Sequence, residues 1–84
     1  MSTITSPKAL GGALREARKR MGLTQPHLAL AAGVGVRFIV DLEAGKPTVR
    51  LGHVLRVIDA LGGNLKLVDL QTDGTQTEEP RRGA

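Results

Sequence analysis

The chain reads as an all-α domain that ends in one short β-strand, and three features of its 84 residues carry that reading. Apolar residues recur at three- and four-residue spacing in four segments, each bounded by Gly or Pro. The second and third segments are separated only by "GVG", which is too short to connect independently placed helices. After Gly62-Gly63 the spacing changes to strict alternation in "NLKLV".

Residues 1–7 are expected to be a flexible lead-in. Leu10, Leu14, Ala17 and Met21 then predict a first helix over 8–21, with "REARKR" on its outer face and Gly22 as its stop. Thr24 is a natural N-cap, and Pro26 falls in the first turn, where a missing N–H costs nothing. The second helix covers 25–32, with Leu28 and Ala32 inward, and ends at Gly33. Val34 is expected to plug the core at the turn. The third helix, 36–44, directs Phe38, Ile39 and Leu42 inward and stops at Gly45. Pro47 keeps the preceding residue extended. Thr48 is the expected cap of a fourth helix over 49–61, with Leu51, Val54, Leu55, Ile58 and Leu61 as its apolar stripe.

The segment Asn64, Leu65, Lys66, Leu67, Val68 predicts a strand with no partner elsewhere in the chain. Unpaired strand N–H and C=O groups need a ladder. The economical solution is the same strand from a second copy, paired antiparallel about a two-fold axis. The alternative is an extended tail wrapping its own domain. The chain is thus divided into a lead-in (1–7), a helical domain (8–62), a dimerisation strand (63–70) and a tail (71–84). That tail, "QTDGTQTEEPRRGA", has too little apolar surface to order itself.

Composition narrows the function. Net charge is +4, but residues 1–70 hold ten Lys/Arg against five Asp/Glu, while the tail holds two against three. A basic folded part favours a polyanion partner. Phe38 is the single aromatic residue, so base-stacking RNA and single-strand modules are disfavoured. No cysteine means no disulfide and no thiolate metal site. No stretch approaches a membrane span of about 20 apolar residues, and the start lacks a signal-peptide pattern, so a cytoplasmic location is expected. His27 and His53 are the only histidines, too few for a metal site of three or four ligands. The acids Glu16, Asp41, Glu43, Asp59 and Asp69 are scattered, and "GVG" follows no strand, so no nucleotide loop is indicated. No enzyme activity, cofactor, metal or small-molecule ligand is expected.

Two helices joined by a three-residue turn form a helix-turn-helix pattern. Ala29 is small where the two helices approach, and the outward face of the third helix is not consumed by the core. At these residues "GLTQPHLALAAGV" and "FIVDLEAGKPTVRL" resemble the Cro/C1-type (XRE) helix-turn-helix family over residues 10–62. "KPTVRLGHVLRVIDALGGNLKLV" is similar to the HipB-type antitoxins, in which one strand after the domain completes an intermolecular sheet. The resemblance implies a lambda-repressor-like domain of four to five helices, closed by a two-stranded antiparallel sheet in a homodimer.

The resemblance also implies a double-stranded DNA operator with an inverted repeat, read by the third helix. Gly35, Val36, Arg37, Val40 and Asp41 would face the bases. Arg37 is the one residue able to make a bidentate guanine contact. Thr24 and Gln25 at the start of the second helix, with Lys46, Thr48 and Arg50 after the third, would touch phosphates. Arg18 and Glu43 match an internal ion pair bracing the first helix against the third; the alternative is two solvated charges. The family commonly has Ser or Thr at Gly35, a polar residue at Val36 and Ser at Val40. Here Val36 and Val40 cannot donate hydrogen bonds, but suit thymine methyls and leave part of the specificity to DNA shape. Two readings stand side by side: a stand-alone dimeric repressor, and an antitoxin that represses its own operon and binds a HipA-type serine/threonine kinase toxin.

Overall fold

A computed structural model describes residues 3–70. Four helices follow in order: α1 Pro7–Arg20, α2 Gln25–Ala32, α3 Val36–Glu43 and α4 Leu51–Ala60. The tail expected at 71–84 lies outside the described residues.

α1 begins one residue earlier than its apolar spacing predicts. Ser6 is extended, and its hydroxyl accepts from the Ala9 N–H at 3.0 Å, with Pro7 at the first helical position. The helix also ends earlier, so Met21 lies beyond it and is 51% exposed rather than inward. Arg18 departs from the expected outer face of "REARKR": it is buried. α2 is capped as expected, with the Thr24 hydroxyl accepting from the His27 N–H at 3.1 Å. It stops at Gly33, whose φ of 72° suits a residue without a Cβ; the Val34 N–H then closes on the Ala29 carbonyl at 3.0 Å. Three residues separate α2 from α3, which starts from an extended Gly35.

α4 differs most from expectation. Thr48 does not cap it. The chain bends at Pro47 and Thr48, Arg50 takes the N-cap position without a side-chain bond, and the helix starts at Leu51. Its buried face is Val54, Val57 and Ile58, whereas Leu51 and Leu55 from the predicted stripe are exposed. The reason is one-sided packing: α2 contacts α4, and the side carrying Leu51 opens onto a separate groove.

The core comprises Leu14, Leu28, Ala29, Ala32, Ile39, Leu42, Val54, Val57 and Ile58, with Leu28, Ile39 and Val57 fully enclosed. All four helices contribute, and α2 packs on both α3 and α4. Truncating any fully enclosed member to Ala is expected to cost about 2–5 kcal/mol. Val34 and Phe38 are half-buried against this core, as their positions predict.

Residues 64–68 form no strand within the single chain among the described residues; the segment after α4 is exposed. Leu65, Leu67 and Val68 are more than half exposed. Together with Ile4, Leu10, Val49 and Leu51, residues 64–68 line an apolar groove of about 860 Å³.

Candidate nucleic-acid interface

The orientation of α3 is fixed before any ligand arrives. At its C-terminal end, Arg18 Nε donates to Glu43 Oε2 at 2.7 Å and Arg18 Nη2 to Glu43 Oε1 at 3.1 Å. Arg18 Nη1 donates to the Leu23 carbonyl at 2.7 Å, between α1 and α2. Gln25 Nε2 donates to Glu43 Oε1 at 3.1 Å. One carboxylate thus ties the ends of α1, α2 and α3 together. Both side chains of the ion pair are nearly closed off from solvent, so the expected brace is present and the alternative of two solvated charges is not. Hydrogen bonding to Glu43 holds the Arg18 guanidinium above its ordinary pKa, against the opposing effect of burial. A raised cation pKa contributes stability that is complete below the unfolded value and is lost only as pH climbs through the folded one. Arg18 therefore stays charged at every pH relevant to binding.

At the N-terminal end of α3, two contacts from α4 act that sequence reasoning missed. Arg56 Nη1 donates to the Gly33 carbonyl at 3.3 Å, satisfying an open carbonyl at the end of α2. The His53 ring meets Phe38 edge-on, with centroids 5.2 Å apart and planes at 82°. The Arg56 contact has no signal in the local pattern, since it joins positions 23 apart. His53 had none either, since position 53 lies off the stripe of Leu51, Val54, Leu55, Ile58 and Leu61 that spacing predicts.

What these contacts leave open is the outward face of α3. Gly35, Val36, Arg37 and Val40 are all exposed, and the Arg37 side chain is 86% exposed. Val36 and Val40 form a small apolar step beside Arg37, able to contact methyl groups and unable to donate. Asp41 is the most enclosed of the five expected base-facing residues. Its Oδ1 lies 3.4 Å from Arg37 Nε and its Oδ2 lies 3.7 Å from Lys46 Nζ.

The residues expected at phosphates fall into two groups. Lys46, Thr48 and Arg50 line a shallow depression together with Gly35, Phe38, Asp41, Val49 and His53. This depression brings the loop cations beside the start of α3. Thr24 and Gln25 lie instead at the start of α2. The Thr24 hydroxyl oxygen is engaged in capping but keeps its hydrogen free to donate, and Gln25 spends one amide hydrogen on Glu43. Among the described residues there is no cluster of three or more His, Asp or Glu placed to hold a metal ion. Among those residues, too, no helix is long and apolar enough to cross a membrane.

A family model described as a helix-turn-helix domain matches residues 9–71. The chain is 49% identical over 65 residues to the HTH-type transcriptional regulator y4mF of Sinorhizobium fredii, covering 77% of this chain and 86% of that protein. The fold superposes on HipB in a HipA-HipB-O2-O3 complex with a TM-score of 0.77 and 25% identity, over 84% of this chain and all of the other. HipB in an O4 20mer complex gives a TM-score of 0.76 at the same identity and the same coverage. The clp gene regulator ClgR of C. glutamicum gives 0.65 at 33% identity, over 76% of this chain and 82% of that one. With the brace, the turn and the open face of α3 in place, the chain belongs to the helix-turn-helix family of DNA-binding transcriptional regulators, of the Cro/C1 type and with the fold of HipB.

Proposed function

We propose that the chain is a homodimeric repressor that reads an inverted-repeat operator through α3, and that it serves as the antitoxin of a module whose toxin is a HipA-type serine/threonine kinase. The observation that carries the first part is the open face of α3. Val36, Arg37 and Val40 stand exposed on a helix braced by Glu43 at its C-terminal end and packed through Phe38 on His53 of α4, beside the cationic loop of Lys46, Thr48 and Arg50. In this reading Gly35, Val36, Arg37 and Val40 meet the base edges. Thr24, Gln25, Lys46, Thr48 and Arg50 meet phosphates, which set the register. Asn64–Val68 from two copies pair antiparallel, placing the two α3 helices about 34 Å apart in successive major grooves.

The antitoxin part is supported by the likeness to HipB, which is captured with HipA in the solved complex. A stand-alone regulator is the second reading. Its support is y4mF, which is named as an HTH-type transcriptional regulator.

The test has two arms. Selection from a random duplex library, followed by titration of the winning sequence, should return a palindrome with half-sites about ten base pairs apart. A library that emerges without enrichment rejects operator reading. Tagged protein expressed with its neighbouring reading frames should co-purify with a kinase; a genome neighbourhood without one favours the stand-alone regulator.

A further inference from the structure

The acidic residue on an otherwise cationic face needs an explanation. Asp41 lies one turn after Arg37 on α3, and its carboxylate is engaged on both sides: Oδ1 toward Arg37 Nε, Oδ2 toward Lys46 Nζ. A carboxylate close to DNA phosphates is repulsive, so its presence costs affinity on every sequence. As an exposed i,i+4 pair, Arg37–Asp41 adds little to folding. Neither stability nor raw affinity accounts for it.

The atoms involved do. Arginine carries five N–H donors in a planar fork. Asp41 faces Nε, the donor on the side of the fork. The two Nη groups, which take guanine O6 and N7 in a bidentate contact, stay free. A side chain 86% exposed has no packing to hold it in one rotamer. The Asp41 carboxylate supplies that hold, and its own side chain is only 26% exposed and is tethered from the loop by Lys46.

We propose that Asp41 is a positioning residue for base readout: it holds the Arg37 fork aimed into the major groove and, because Lys46 shares the same carboxylate, couples the phosphate contact of Lys46 to the base contact of Arg37. When Lys46 turns to a phosphate, it releases Oδ2 and leaves the carboxylate wholly to Arg37. Asp41 thus lowers affinity for all DNA slightly and raises discrimination. This inference rests on the DNA-reading role of α3 given above.

The experiment measures the Kd of the full-length protein and its variants for the selected duplex and for a scrambled duplex of the same length. Asp41→Ala should bind the scrambled duplex as tightly as the parent or up to about threefold tighter, since a negative charge has been removed. It should lose roughly five- to tenfold in the ratio between the two duplexes. Asp41→Asn keeps one oxygen able to face Arg37 Nε, and should retain part of that ratio. In the parent, Arg37→Ala and Lys46→Ala should combine non-multiplicatively, by about threefold or more; with Asp41→Ala in the background they should multiply. A purely structural role predicts parallel losses on both duplexes together with a lowered Tm, and that outcome overturns the proposal. So does an unchanged ratio, or a coupling of Arg37 and Lys46 that survives Asp41→Ala. A parent protein that does not separate the two duplexes at all overturns the operator reading, and this inference falls with it.

Discussion

Gly11, in the middle of α1, lies directly against the carbonyl oxygen of Leu42 near the end of α3: a Cβ at Gly11 would overlap that oxygen and press on the Glu43 carbonyl 2.9 Å away. The two helices cross here at backbone contact. Gly45, just past α3, approaches the Lys8 Cα in the same manner and has a φ of 87°. The tilt of α3 is thus set by two glycines as well as by the Arg18–Glu43 bridge.

Gly11 and Gly12 make a matched pair for testing this. A helical Gly→Ala change normally stabilises by about 0.5–1 kcal/mol. Gly12 has nothing within 4 Å of a built Cβ, so Gly12→Ala should raise stability by about that amount. Gly11→Ala forces α1 off α3 and should destabilise by about 1–3 kcal/mol despite the better propensity. Urea melts of the two variants check the signs; a Gly11→Ala protein as stable as Gly12→Ala would mean that the helices can separate freely.

The Arg18–Glu43 bridge should be costly to break from either side. Glu43→Gln leaves the Arg18 cation largely buried with only the Leu23 carbonyl as a full acceptor and removes the charge it faces. Arg18→Met leaves the Glu43 carboxylate with the single Gln25 donor. Breaking either side of a buried pair costs about 3–5 kcal/mol, which in a chain of this size approaches the whole stability. Replacing both together by apolar residues should recover much of the loss. A double variant no more stable than the worse single one contradicts this account.

Arg37 and Lys46 should separate specificity from affinity. Arg37→Ala removes the one bidentate donor on the exposed face and should flatten sequence preference by about 1–3 kcal/mol at one position of the site. Lys46→Ala should weaken binding to every sequence, shift preference far less than Arg37→Ala does, and lower the slope of log K against log salt by about one. Competition titrations on mutated operators at two salt concentrations distinguish the two patterns.

Much of this site was legible in the chain, and the gaps have physical causes. The turn was readable because Gly33 and the three-residue spacing leave few alternatives. The brace was readable because the resemblance placed Arg18 and Glu43, although period alone put Arg18 on the outer face of α1. A long side chain can bury its stem and head when a carboxylate waits for it, and the period of α1 does not record that. The start of α4 was misplaced because Thr48 is a good cap by type, while the bend at Pro47 and Thr48 delays the helix to Leu51. Leu51 and Leu55 fit the stripe but lie away from the face that packs on α2, so hydropathy marked them inward while packing left them out. Arg56 and His53 act across elements, where spacing along one helix carries no information.

The exposed apolar residues around 64–68 lead to the last prediction. Leu65 is 56% and Leu67 71% exposed, and they line one groove with Ile4, Leu10 and Leu51. Single exposed leucines are ordinary, but a contiguous group beside a backbone that joins no sheet among the described residues is a surface suited to a second copy. Pairing two copies through Asn64–Val68 would satisfy that backbone and shelter these leucines together. The double variant Leu65→Ser with Leu67→Ser should therefore sediment as a single chain at micromolar concentration while keeping its helical circular dichroism, because the core of α1 to α4 lies elsewhere. Its affinity for a palindromic operator should fall by orders of magnitude, since two half-sites are no longer held by one body, while binding to a single half-site changes little. The parent should melt at a temperature that rises with protein concentration, as expected when association stabilises the fold. A parent that sediments as one chain and melts independently of concentration would remove the sheet from the mechanism, and with it the fixed spacing between the two copies of α3.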